Sequence, residues 1–117
     1  MTTEYPTPGQ NLARNRVWGN FATGGSRGIR DSHDYVRKGG AAARMMLVQA
    51  AADAWGVPAG ECTAANSVVT HGPTGRTLRY GQVAAAAARL TPPQDVPLKD
   101  PAAWTVAGKP VPRLDTV

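Results

Sequence analysis

Between Ser32 and Trp55, the residues Val36, Gly40, Ala43, Leu47, Ala50 and Ala54 recur at alternating spacings of four and three. That is the period of one helix face. Ser32 suits an N-cap, and Asp34 suits the positive end of the helix dipole. Arg37, Lys38, Arg44, Gln49 and Asp53 fall off the stripe and face water. Gly56 follows as the residue just past the end, and Pro58 forbids continuation. The stripe is mostly Gly and Ala, which predicts tight packing rather than a thick apolar core. Gly39 and Gly40 inside the helix each cost about 1 kcal/mol relative to Ala. Close approach of another backbone is the expected compensation.

The rest of the chain has little bulk to set against this helix. Of its 117 residues, 20 are Ala, and Val, Ile, Leu and Phe together number 19. Those large residues fall below the roughly 20% that a self-sufficient core usually needs. Residues 1–31 read as an irregular basic lead, broken by Pro6, Pro8, Gly9, Asn11, Asn15, Gly19 and Asn20. Trp18 and Phe21 are aromatic islands in it, of the kind that anchor a loop on another surface. Glu61 to Ala65 reads as a short strand, with a turn or bulge at Asn66-Ser67. Val68 to His71 and Arg76 to Tyr80 form a hairpin across Gly72-Pro73-Thr74-Gly75. Residues 82–90 read as a short second helix, stopped by Thr91-Pro92-Pro93. Residues 32–91 are thus a helix–hairpin–helix unit. Residues 92–117, with six prolines, form an extended tail. The expected class is α+β: a long helix on a small antiparallel hairpin, a short second helix, and extended arms at both ends.

Charge and cysteine narrow the function classes. The net charge is +5, and residues 1–44 hold seven Lys/Arg against three acids. Such a lead attracts an anion: a phosphate, a nucleic acid or an acidic surface. The basic residues interleave with Gly and Asn rather than with stacking aromatics, which argues against nucleic acid. With Cys62 alone there is no internal disulfide, and no metal-ligand spacing surrounds it. The N-terminus has neither a charged nor an apolar leader region, so no signal peptide is read and cytoplasmic is the default. No apolar stretch approaches the roughly 20 residues of a membrane span.

The most chemical-looking feature is Thr23-Gly24-Gly25-Ser26-Arg27-Gly28-Ile29, leading into the helix. Backbone N–H groups of a Gly-rich turn and a helix N-terminus together suit an anion. Ser26 adds a hydroxyl, and Arg27 or Arg30 adds charge. The run is similar to the nucleotide loop of short-chain dehydrogenases. However, Arg30 stands where that fingerprint needs its last glycine, no apolar strand precedes the loop, and no Tyr-x-x-x-Lys pair follows.

A resemblance with wider coverage starts at Asn20-Phe21-Ala22-Thr23-Gly24-Gly25-Ser26 and continues through Gly39 to Leu47. It takes in Trp55-Gly56-Val57-Pro58 with Glu61-Cys62, and Val69-Thr70-His71 before Gly75-Arg76. It goes on through Tyr80 to Ala86, then Lys99-Asp100-Pro101, Gly108-Lys109-Pro110 and Pro112 to Asp115. In order and spacing these resemble the large subunit of xanthine dehydrogenase/aldehyde oxidase-type molybdenum hydroxylases, nearest the isoquinoline 1-oxidoreductase β-subunit type. The resemblance implies an internal slice of a subunit several times longer. That subunit would bind a molybdopterin dinucleotide and hydroxylate aromatic heterocycles or aldehydes with water as oxygen source. It implies Gly24, Gly25, Ser26 and Arg27 as neighbours of the pterin phosphates, although Arg27 stands where a small polar residue is expected. The family's general-base Glu has no counterpart here, and one cysteine cannot form iron–sulfur clusters. The chain alone therefore carries no catalytic or metal residue, and no cofactor is expected for it in isolation. Its implied partners are the remainder of the large subunit and an iron–sulfur subunit.

Two readings stay open. The chain is a piece of an enzyme, inactive alone, or it is a stand-alone binding or assembly module using the basic loop for an anionic partner. An independent module should bury Trp55, whereas a slice without its partner should leave Trp18 and Trp104 wet. Cys62 reads as a small buried strand residue, His71 as a turn residue, and Ala84–Ala88 as a packed helix face.

Overall fold

The computed structural model describes residues 4–21, 24–110 and 112. Ala22, Thr23, Arg113, Leu114 and Asp115, which contribute to the resemblance, lie outside the described residues. Backbone packing divides the chain into two compact units, Met1–His33 and Asp34–Val117.

The first unit opens with an α-helix the sequence reading did not expect, α1 (Pro8–Ala13). Its start is built from residues read as loop punctuation. Thr7 is the N-cap, and its hydroxyl accepts from the Gln10 amide at 3.3 Å. Gln10 returns the favour, its side-chain oxygen accepting from the Thr7 amide at 2.7 Å. Pro8 occupies the first turn, where its missing N–H costs nothing. After α1 the chain turns through Asn15 and Arg16, both left-handed (φ 53° and 56°). Asn11, 5% exposed, holds this turn. Its amide donates to Gly19 O at 2.7 Å, and its side-chain oxygen accepts from the Trp18 amide at 3.0 Å.

The long helix α2 runs Arg27–Trp55, not from Ser32. Ser32 is no N-cap: it lies inside the helix, and its hydroxyl donates back to Ile29 O at 3.3 Å. The glycine turn supplies the earlier start, because the Arg30 amide already bonds Ser26 O at 3.0 Å. The far end is as the sequence predicts. Gly56 is left-handed (φ +65°). Its amide bonds Asp53 O, and the Val57 amide bonds Ala52 O, which is the paired closure of a Schellman end.

In the second unit, strands β1 (Cys62–Ala65), β2 (Val68–His71) and β3 (Thr77–Arg79) form one antiparallel sheet in that order. The two-residue turn Asn66-Ser67 has both φ values positive (48° and 62°), the sign pattern that matches strand twist in a tight hairpin. Register pairs Cys62 with His71 and Ala64 with Val69, and pairs Val69 with Leu78. By strand alternation these five share one face. Helix α3 (Tyr80–Ala87) starts two residues before the predicted Gln82 and ends three before the predicted Leu90. The Arg79 amide donates to Gln82 Oε1 at 2.8 Å at its entry.

The core is small. Ala50 and Ala51 of α2, Val69 of β2, and Val83 and Ala87 of α3 are buried together. Met46, Leu47, Trp55, Cys62, Leu78 and Tyr80 pack around them. The predicted stripe therefore holds only at Leu47 and Ala50, and Ala54 in the last turn of α2 is exposed. Val36 is 60% exposed, and Gly40 and Ala43 are exposed too. The close backbone approach expected at Gly39 and Gly40 is not there: a Cβ at either would meet nothing within 4 Å. The tail carries one 3-10 turn, Pro101–Ala103, capped by the Asp100 side chain on the Ala102 amide at 2.8 Å. Arg37 of α2 clasps it, donating to Lys99 O at 2.6 Å with its guanidinium 5.1 Å from the Trp104 ring centre. Trp104 is consequently half-buried rather than wet. Among the described residues, no helix is long and apolar enough to cross a membrane.

Candidate functional site

The four residues singled out for an anion, Gly24, Gly25, Ser26 and Arg27, form one tight turn. The Arg27 amide bonds Gly24 O at 3.1 Å. Both central residues are left-handed, Gly25 at φ +56° and Ser26 at φ +55°. Gly25 adopts this freely, whereas for Ser26 it costs roughly 1–2 kcal/mol. A Cβ at Gly24 or Gly25 would meet nothing within 4 Å, so the turn stands open on that side.

The donor set at this turn is the first turn of α2. The Arg27 and Arg30 amides are taken by Gly24 O and Ser26 O, which leaves those of Gly28 and Ile29 without an acceptor among the described residues. The positive end of the helix dipole adds to the same field. The arginines do not aim into the turn. Arg27 Nε lies 3.3 Å from Asp31 Oδ2, and Arg30 Nε lies 3.6 Å from Asp31 Oδ1. Both pairs are half-exposed, and such surface pairs are worth about 0–1 kcal/mol, so either arginine can be drawn off by a stronger anion.

The basic lead is engaged elsewhere along its length. The Arg14 guanidinium stands 5.2 Å over the Trp18 ring, and Lys38 pairs with Asp34 at 2.7 Å. Arg44 donates to Ala64 O at 3.4 Å. No group of three His, Cys, Asp or Glu that could hold a metal ion occurs among the described residues.

A second constellation, in the other unit, was missed by the sequence reading. His71, expected as a turn residue, is the last residue of β2, 3% exposed and bonded at both ring nitrogens. Nε2 lies 2.8 Å from Glu61 Oε2, and Nδ1 lies 2.7 Å from Thr74 Oγ1. Arg76 Nε donates to the same Thr74 oxygen at 3.0 Å. Trp55 closes the group: its ring centre is 6.2 Å from that of His71 and 5.6 Å from the Arg76 guanidinium. The backbone fixes the turn as well, through His71 N to Arg76 O, Gly75 N to His71 O and Gly72 N to Glu61 O, each 2.9 Å. The signal in the sequence was strand parity, since His71 sits two residues after Val69 on the same face of β2.

No protein-family model matches the chain, and no solved structure matches it. Among curated proteins, it is similar to the isoquinoline 1-oxidoreductase subunit beta of Brevundimonas diminuta, with 39% identity over 70 residues. The aligned stretch is 60% of this chain and 9% of that relative, so the chain matches under a tenth of the length of the protein it resembles.

Proposed function

We propose that this chain is part of a molybdenum hydroxylase large subunit, without catalytic activity of its own. The observation that carries this reading is the 39% identity over 70 residues with an isoquinoline 1-oxidoreductase β subunit. The assembly it belongs to holds a molybdopterin dinucleotide, together with the rest of a large subunit and an iron–sulfur subunit.

Within that assembly, the Gly24–Arg27 turn lies beside the cofactor's phosphates. Its open side at Gly24 and Gly25 and the first-turn amides of α2 support this, because together they suit an oxoanion in size and charge. The chemistry supplied by the cofactor is oxygen-atom insertion from water into a heterocycle or aldehyde. This chain's part is to bind and orient. The Gly28 and Ile29 amides at the start of α2 take phosphate oxygens, and Arg27 and Arg30 leave Asp31 to share the charge.

The test is native mass spectrometry of the tagged chain purified from its own host. Co-purification of a large chain with a molybdopterin mass is the expected result. A lone 12.2 kDa species would overturn it and leave the alternative, a small binding or assembly module whose basic turn takes an anionic partner.

A further inference from the structure

We propose that Arg76 is a preorganised receptor for a carboxylate, and that an acidic polypeptide segment docks on it. This rests on the second unit alone and is independent of the molybdenum-enzyme reading.

A long side chain on a surface turn is ordinarily mobile, and Arg76 is held at three points. Its Nε is bonded to Thr74 Oγ1 at 3.0 Å. Its guanidinium lies 5.6 Å from the Trp55 ring centre, within cation–π range. Its backbone carbonyl accepts from the His71 amide at 2.9 Å. Thr74 is fixed in turn by the buried His71, and His71 by Glu61. A relay of hydrogen bonds thus runs from a 3% exposed imidazole out to an exposed arginine.

This relay consumes Nε and leaves the two terminal nitrogens. Among the described residues neither makes a hydrogen bond, and no carboxylate pairs with Arg76. A guanidinium fixed by Nε and stacked on one face presents its terminal edge as a ready fork. Two parallel N–H donors at that edge match the two oxygens of a carboxylate. The conformational freedom a free arginine loses on binding has already been given up, so less is lost when a ligand arrives.

The same surroundings select among oxoanions. Glu61 is 47% exposed and places its own negative charge one imidazole away from Thr74. A dianionic phosphate meets that charge twice over, and a carboxylate meets it once. The second unit holds nine Lys/Arg against six acids, and its net charge of +3 brings an acidic segment in from a distance, while the fork fixes where it lands.

The test is a titration of the full-length 15N-labelled chain with hexaglutamate, read at the arginine Nε–H signals by NMR. The Arg76 signal is expected to be resolved and slow to exchange before any addition, and to shift saturably. Arg76→Lys keeps the charge and loses the fork, and should weaken binding about tenfold, read at the Gly75 amide. Thr74→Val frees Nε and leaves the charge and the two terminal nitrogens of Arg76 in place, and should weaken binding about threefold at the Arg76 signal. An Arg76 signal at the random-coil position overturns the proposal, as do equal shifts at all arginines or full affinity in Arg76→Lys. Saturation by inorganic phosphate at lower concentration than by hexaglutamate overturns the carboxylate assignment.

Discussion

Asn11 and His71 are the two buried polar residues in the described structure, and each fixes a turn. Asn11→Ala removes both the acceptor for the Trp18 amide and the donor to Gly19 O. The expected cost is about 1–3 kcal/mol, confined to the first unit. In hydrogen exchange, the Trp18 amide should lose protection while the Val69 amide keeps it. Retained protection at Trp18 would show that the turn stands without its clamp. His71→Ala empties a core position and strands Thr74, and should cost about 2–4 kcal/mol in urea unfolding. Glu61→Gln keeps an acceptor for Nε2 and should cost less than about 1 kcal/mol. Equal losses would mean that charge, not packing, sets the role of His71. Little of this was legible in the sequence. Asparagine reads as a loop former, and a histidine before Gly-Pro reads as a turn residue. Their burial depends on partners seven to ten positions away. Cys62 was easier, because strand parity puts it opposite His71 on the packed face.

At the scale of elements, the sequence carried the end of α2 better than its beginning, and it placed both ends of α3 two or three residues late. Gly56 closes α2 as predicted, since a left-handed glycine followed by Pro58 is a local signal. Ser32 misled, because the capping work had passed to the Gly24–Arg27 turn, and a serine inside a helix can bond back to its own carbonyls. Missing α1 had a similar cause: Thr-Pro-Gly-Gln is both turn punctuation and a helix entry, and only the reciprocal Thr7–Gln10 bonds decide. The Gly39-Gly40 pair is the element-scale feature that the chain itself does not explain. With nothing within 4 Å of either virtual Cβ, alanine at both positions should stabilise the isolated chain by about 1–2 kcal/mol. Chemical denaturation followed by circular dichroism checks this, and a loss of stability would mean that the second unit uses these glycines after all. If a larger subunit surrounds the chain, the same double substitution should weaken capture of that subunit, since the added methyls would occupy the room glycine leaves. The tail depends on one side chain. Arg37→Ala removes both the bond to Lys99 O and the stack on Trp104, so trypsin should cut after Lys99 several-fold faster. An unchanged rate would mean that Val96 and Leu98, both half-buried, hold the tail without it.

For the molecule as a whole, the limiting quantity is buried apolar bulk. Among the described residues the buried hydrophobic ones are four alanines and two valines, so no large apolar side chain is sealed from water. Meanwhile Tyr35, Val36 and Val106 of the second unit are 63%, 60% and 70% exposed. The shortage of large apolar residues was legible from composition, and so was its consequence for packing. Which faces of α2 would stay bare was not, because the periodic stripe continues unbroken past the point where the sheet stops covering it. Cooperativity follows from the same quantity. Unfolding this chain alone exposes little new apolar surface, so its heat-capacity change and denaturant slope should fall below those of a compact 117-residue domain. Calorimetry of the isolated chain should give a broad, low-enthalpy transition near room temperature, or none. Adding the surface that completes it should sharpen the transition and raise its midpoint with concentration, as mass action requires. A sharp, concentration-independent transition well above room temperature would mean that the alanine-rich core suffices. The bare face of α2 would then be an ordinary solvent face, and the reading of this chain as part of a larger subunit would lose its thermodynamic support.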